Sequence, residues 1–162
     1  MSKQFYPYVI FLPPKRKQEV LRAIFRSKVS IDVFKFSINQ GISEKIYQKD
    51  LITSLGYSNK TIIEKLKTLT DLRILKEDME KIETDGRTVW VKYYVLSDLG
   101  RWFALLLAEE DALSKDEKAE IVSRIFRSYV VWAKKLLEKL DFEKEILEEI
   151  FLKEMEKPSL LS

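Results

Sequence analysis

The sequence predicts a mainly α-helical α+β fold with one small β-hairpin, followed by long C-terminal helices. Two patterns point to it. Apolar residues recur at three- and four-residue spacing through most of the 162 positions, the period of a helix with one buried face. A single pair of β-branched and aromatic runs flanks an Asp-Gly pair, the signature of one hairpin. A hydrophobic content of 46% is enough for a core, while a charged content of 34% argues for an extensive solvated surface.

Taken in order, Pro13 and Pro14 precede a helix expected from about Lys15 to Arg26, with Val20 and Ile24 on its apolar face. A second helix, either separate or continuous with the first, extends through Ile31, Phe34 and Ile38 to about Asn39. Gly41 ends it. Ile46 and Tyr47 read as a short extended piece, and Gln48 to Leu55 as a short helix. After the turn at Gly56 and Tyr57, Ser58 is a good N-cap for a helix from Asn59 to about Leu72, with Ile62, Leu66 and Leu69 as its buried stripe. Strands are expected over Ile74 to Ile82 and Thr88 to Leu96, joined through Thr84, Asp85, Gly86 and Arg87. Trp90 in the second strand either braces a sugar or packs, and a strand tryptophan favours packing. Ser97 caps a helix bearing Leu99, Phe103, Leu106 and Leu107. Ser114 and Glu117 form a capping box that starts a rod of roughly 40 Å, at about 1.5 Å per residue, running to about Leu140. Asp141 is expected to cap a last helix with Phe142, Ile146, Leu147, Ile150 and Phe151 on one face.

Cysteine and histidine are both absent. That excludes disulfides, zinc sites built on Cys or His, thiol nucleophiles and a Ser-His-Asp triad. The four glycines are scattered at element boundaries, so no phosphate-cradling loop is formed. The acidic runs Glu109, Glu110, Asp111 and Glu148, Glu149 place successive carboxylates in different directions and read as solvated surface. No catalytic residue, metal or cofactor is expected. No apolar stretch is long enough for a membrane span, and the short apolar start, Met1 to Leu12, has no charged lead or cleavage site. The expectation is a soluble cytoplasmic protein, and the abundance of Lys, Glu and Ile is compatible with a thermophilic source. The net charge of +3 conceals an asymmetry: +7 through Trp102 and −4 from Phe103 onward. A basic body and an acidic helical tail suggest an anion for one part and another task for the other. The expected division is 1–110 and 111–162.

Short helix, glycine turn, capped helix and hairpin together make a winged helix-turn-helix. Two stretches carry a family resemblance: Tyr57-Ser58-Asn59-Lys60-Thr61-Ile62 through Leu66, Leu69 and Ile74-Leu75, and Tyr94-Val95-Leu96-Ser97-Asp98-Leu99-Gly100-Arg101. Over roughly Gln18 to Leu107 the chain resembles archaeal and bacterial winged-helix transcriptional regulators of the broad MarR, ArsR and PadR type. An archaeal source is expected. The resemblance implies sequence-specific double-stranded DNA binding without catalysis. It departs from the family at Arg73, where members usually carry glycine, and in the acidity of the wing: Glu77, Asp78, Glu80, Glu83 and Asp85 would all repel phosphate.

With Ile62, Leu66 and Leu69 inward, Lys60, Glu64, Lys67 and Thr68 face outward, joined by Asn59 and Thr61 at the helix start. Asn59 suits adenine, Glu64 cytosine, and Lys60 and Lys67 suit guanine or phosphate. Glu64 is either a base-reading residue or a solvent-facing charge paired with Lys60 or Lys67. Arg87 at the hairpin tip is the best-placed wing cation. Lys15 and Arg16, with Lys17, either clamp flanking phosphates or form a solvated basic cluster.

In the tail, Val122, Phe126, Tyr129, Ala133, Leu136 and Leu140 step alternately by four and three, an a/d seam of about three heptads. Covering that seam by a second copy predicts a homodimer, while pairing with the last helix would cover part of it. The competing reading is a winged-helix protein-interaction module without DNA binding. No effector ligand is specified by the sequence.

Overall fold

The computed structural model describes residues 14–158, with side chains from Glu19 onward. The apolar segment Met1 to Leu12 lies outside the described residues, as do the side chains of Lys15 and Arg16, whose backbone belongs to the first helix. Among the described residues, seven helices and one hairpin follow in the order α1 (Pro14–Phe25), α2 (Lys28–Gln40), α3 (Gln48–Leu55), α4 (Asn59–Asp71), β1 (Leu75–Thr84), β2 (Arg87–Leu96), α5 (Asp98–Leu107), α6 (Lys115–Lys139) and α7 (Lys144–Glu156).

The first two helices are separate. Ser27 adopts an extended backbone between them and accepts a hydrogen bond from the Ser30 N–H, so α2 begins with its own N-cap. The Ser30 hydroxyl in turn donates to the Ala23 carbonyl at 3.0 Å, tying the start of α2 to the end of α1. Helix α2 is the centre of the body, packing against α1, α3, α4 and α5. Its buried Phe34 and Val33 meet a core that includes Ile24, Leu51, Ile62, Leu66 and Phe103.

β1 and β2 pair antiparallel from Leu75↔Leu96 at the root to Thr84↔Arg87 at the tip. Asp85 and Gly86 both have positive φ, 53° and 73°, the two-residue turn whose twist matches that of the strands. Ile46 adds a third, one-residue strand by exchanging both backbone hydrogen bonds with Tyr94, at 2.7 and 2.8 Å. Only the root of the hairpin is buried.

Contacts divide the chain between Ile125 and Phe126, within α6. The reason is packing: Leu113, Ile121 and Ile125, expected with the tail, are buried in the core of the body. In the second unit, the end of α6 and α7 face each other through Phe126 and Phe151, whose rings lie 5.6 Å apart. Asp141 does not cap α7. It stands in the left-handed region, φ 58°, and closes α6, with the Phe142 N–H reaching back to the Leu137 carbonyl. Glu143 takes the N-cap position without a side-chain cap bond. No helix among the described residues is long and apolar enough to cross a membrane.

Candidate nucleic-acid interface

The candidate interface is built around α4. Ser58 accepts from the Thr61 N–H at 3.2 Å and starts the helix, its preceding turn made by Gly56 with φ 71°. Tyr57, just ahead of the cap, donates its hydroxyl to the Asp32 carboxylate on α2 at 2.6 Å. That bond holds the phenol proton and raises the pKa of Tyr57 above its ordinary value. Ile62, Leu66 and Leu69 are fully buried, which fixes the rotation of α4 about its axis.

The opposite face therefore stands in solvent. Asn59, Lys60, Glu64, Lys67 and Thr68 are exposed, and Thr61 is half-buried beside the cap. Lys60 is 85% exposed and Glu64 66%, with their charged ends 3.9 Å apart. Glu64 thus has the local partner considered from sequence, at a separation and exposure where an ion pair is worth little. Thr68 spends its hydroxyl hydrogen on the Glu64 carbonyl, 3.0 Å away, and keeps its acceptor capacity.

The helix ends in a way the sequence only hinted at. The Ile74 N–H bonds to the Leu69 carbonyl and the Arg73 N–H to the Thr70 carbonyl, both at 2.9 Å, with Arg73 left-handed at φ 59°. This is a Schellman stop, normally closed by glycine. The exit of the hairpin locks it. The Ser97 hydroxyl lies 2.7 and 2.9 Å from the carbonyls of Arg73 and Ile74, and accepts from the Gly100 N–H at 3.1 Å. The two stretches that carry the family resemblance therefore meet in space. Gly100 sits so close that a Cβ there would lie 2.3 Å from the Ile74 carbonyl oxygen.

Beside α4 the hairpin extends as a wing. Arg87 is exposed at the tip, next to Asp85. At mid-wing, Glu80 accepts hydrogen bonds from the Lys45 ammonium and the Tyr47 hydroxyl. Both partners lower the pKa of the Glu80 carboxylate, while its hydrogen bonds raise those of Lys45 and Tyr47. Nothing in the sequence pattern had paired the segment 45–47 with β1. Trp90 corrects the expectation of a packing residue. It is 60% exposed, with the Lys81 ammonium over its ring at 5.0 Å, because it lies on the part of β2 that outruns the body. Met79, Ile82 and Val89 are exposed with it.

The heptad seam divides. Phe126, Tyr129 and Ala133 are half-buried and line a groove of about 510 Å³ with Leu147, Ile150 and Phe151 of α7. Val122, Leu136 and Leu140 are exposed. No residue of α7 is buried.

No protein-family model and no curated protein sequence matches the chain. Among solved structures it is similar to a possible transcriptional regulator from Methanosarcina mazei Go1, at 22% identity and a TM-score of 0.37, over 78% of this chain and 87% of that one. It is also similar to the adhesin competence repressor AdcR from Streptococcus pyogenes, at 18% identity and a TM-score of 0.34, over 88% of this chain and 97% of that one.

Proposed function

We propose that the chain is a sequence-specific double-stranded DNA-binding transcriptional regulator, acting without catalysis as a homodimer joined through its C-terminal helices. One observation carries the reading: α4 is capped, fixed in rotation by three buried residues, and turns a polar face with two lysines and an asparagine to solvent beside a β-hairpin. A helix so presented fits the major groove, and a hairpin beside it fits the flanking backbone or minor groove. In this reading Asn59 and Glu64 read bases, Lys60 and Lys67 read guanine or hold phosphate, and Thr61 and Thr68 complete the contact. Arg87 reaches from the wing, and Lys15 and Arg16 hold flanking phosphates. The dimer is supported by the exposure of Leu136, Leu140 and the apolar side chains of α7, an apolar surface that a second copy would cover.

The test is selection of duplex sites by the full chain from a random pool, followed by affinity against salt. The expected result is a log–log slope that loses about 0.9 for each lysine that contacts phosphate when Lys60→Ala and Lys67→Ala are introduced. Unchanged affinity and slope in both variants would reject α4 as the reading helix. A second reading, a protein-docking module, is favoured by one feature, the exposed Trp90, Met79, Ile82 and Val89 on an acidic wing. It predicts no enrichment of any duplex at low salt.

A further inference from the structure

Five carboxylates lie on the wing, the element that in the DNA reading must approach phosphate: Glu77, Asp78, Glu80, Glu83 and Asp85. Three of them are engaged within the chain. Glu77 pairs with Lys92 at 3.2 Å, Asp78 accepts from the Tyr93 hydroxyl at 3.2 Å, and Glu80 accepts from Lys45 and Tyr47. The Lys45 ammonium also lies 4.6 Å over the Tyr93 ring, and the rings of Tyr47 and Tyr93 are 6.3 Å apart. Lys45 and Tyr47 flank Ile46, which is bonded to the Tyr94 backbone, and Tyr47 is the N-cap residue of α3. Among the described residues, Glu80 is the outermost wing residue whose side chain is hydrogen-bonded to the body.

A hairpin anchored only at its root is a long lever. Ten residues at about 3.3 Å each put the tip roughly 33 Å from the root, so a swing of about 15° moves it some 8 Å. A tie at Glu80 leaves four free residues, roughly 13 Å, and the same swing moves the tip only about 3–4 Å. The groups are part-exposed, so the tie adds little to global stability. Its effect is geometric. We propose that Glu80, held by Lys45 and Tyr47, is a positioning residue of the DNA interface, setting the pitch of the wing and hence where Arg87 stands relative to the exposed face of α4. The proposal rests on the DNA-binding reading and goes beyond it.

The sign of one variant separates positioning from simple charge. Removing a carboxylate near phosphate should strengthen binding on counterion grounds, whereas loosening the wing should weaken it. The experiment uses the full chain on its selected duplex, comparing wild type, Glu80→Gln, Glu80→Asp and Tyr47→Phe, each with and without Arg87→Ala. Hydrogen exchange of wing amides is followed in the free protein. Glu80→Gln should weaken specific binding about 3–10-fold, and the penalty of Arg87→Ala should shrink in that background. The wing should exchange faster, with the melting temperature little changed, and Glu80→Asp should recover part of the loss. Equal or tighter binding by Glu80→Gln, or an undiminished Arg87→Ala penalty in its background, overturns the proposal alone. A wild-type chain that binds no duplex overturns the DNA reading itself, and with it the part of Glu80 in binding.

Discussion

At the scale of single residues, the most informative position is Arg73. It holds a left-handed backbone at the stop of α4, where a Cβ costs roughly 1–2 kcal/mol against glycine's freedom. Arg73→Gly should therefore stabilise the protein by about 0.5–1 kcal/mol after the extra entropy of the unfolded glycine is subtracted, a rise of about 1–4 °C in melting temperature by calorimetry. Gly100 is the opposite case. Its missing side chain lets the start of α5 approach the Ile74 carbonyl, and Gly100→Ala should cost about 2–3 kcal/mol by denaturant unfolding. The unusual Arg73 is visible in the sequence as a departure from the glycine of the regulators that the chain resembles. The seat around it is not, since Ser97 and Gly100 come from beyond the hairpin and meet Ile74 only in the folded chain.

At the scale of elements, legibility followed the range of the interactions. The bounds of α3, the Ser58 cap and the Asp-Gly turn are set by neighbours within four residues, and each was read directly from the sequence. The Ser114–Glu117 box likewise forms both of its reciprocal bonds, at 2.8 and 3.1 Å. Asp141 departs from its expected role because a short polar residue after a helix suits either a C-terminal stop or the next N-cap, and local sequence does not separate the two. Trp90 departs from expectation because residue type says that a tryptophan fits a strand, not how far the strand extends past its core. The Glu80 tie spans 33 and 35 residues and has no local signature. It carries a pH dependence. Lys45, then Tyr47, lower the pKa of Glu80 below the ordinary 4.5, so its contribution is complete above that pH and is lost as pH falls through the lowered folded value. Acid titration followed by NMR of the Tyr47 ring should show a shift with a midpoint below 4.5, absent in Glu80→Gln. A midpoint at or above the ordinary carboxylate value would contradict the hydrogen bonding at Glu80.

At the scale of the whole molecule, the charge asymmetry is legible in the sequence, but the packing partner of residues 111–125 is not. Residues 111–125 read as tail by their helical pattern, yet Leu113, Ile121 and Ile125 complete the core of the body. Periodicity shows that a helix has an apolar face without showing which partner that face meets. In the proposed dimer, Leu136→Glu with Leu140→Glu should shift the mass in light scattering toward one chain while the body retains its unfolding transition. Duplex affinity should then fall, because two α4 helices would no longer address successive major grooves about 34 Å apart on one site. An unchanged mass would remove this surface from the assembly.

Helix α7 carries a consequence of its own. It has 13 residues, none of them buried, and isolated helices shorter than about 12–15 residues are marginal in water. If a second copy supplies the missing cover, the secondary structure of this segment depends on how much protein is in the tube. Dilution should then weaken the negative ellipticity at 222 nm well before any thermal or chemical stress is applied. The curve would report the association constant without a label, and a signal flat from micromolar to nanomolar chain would show that α7 stands without a second copy.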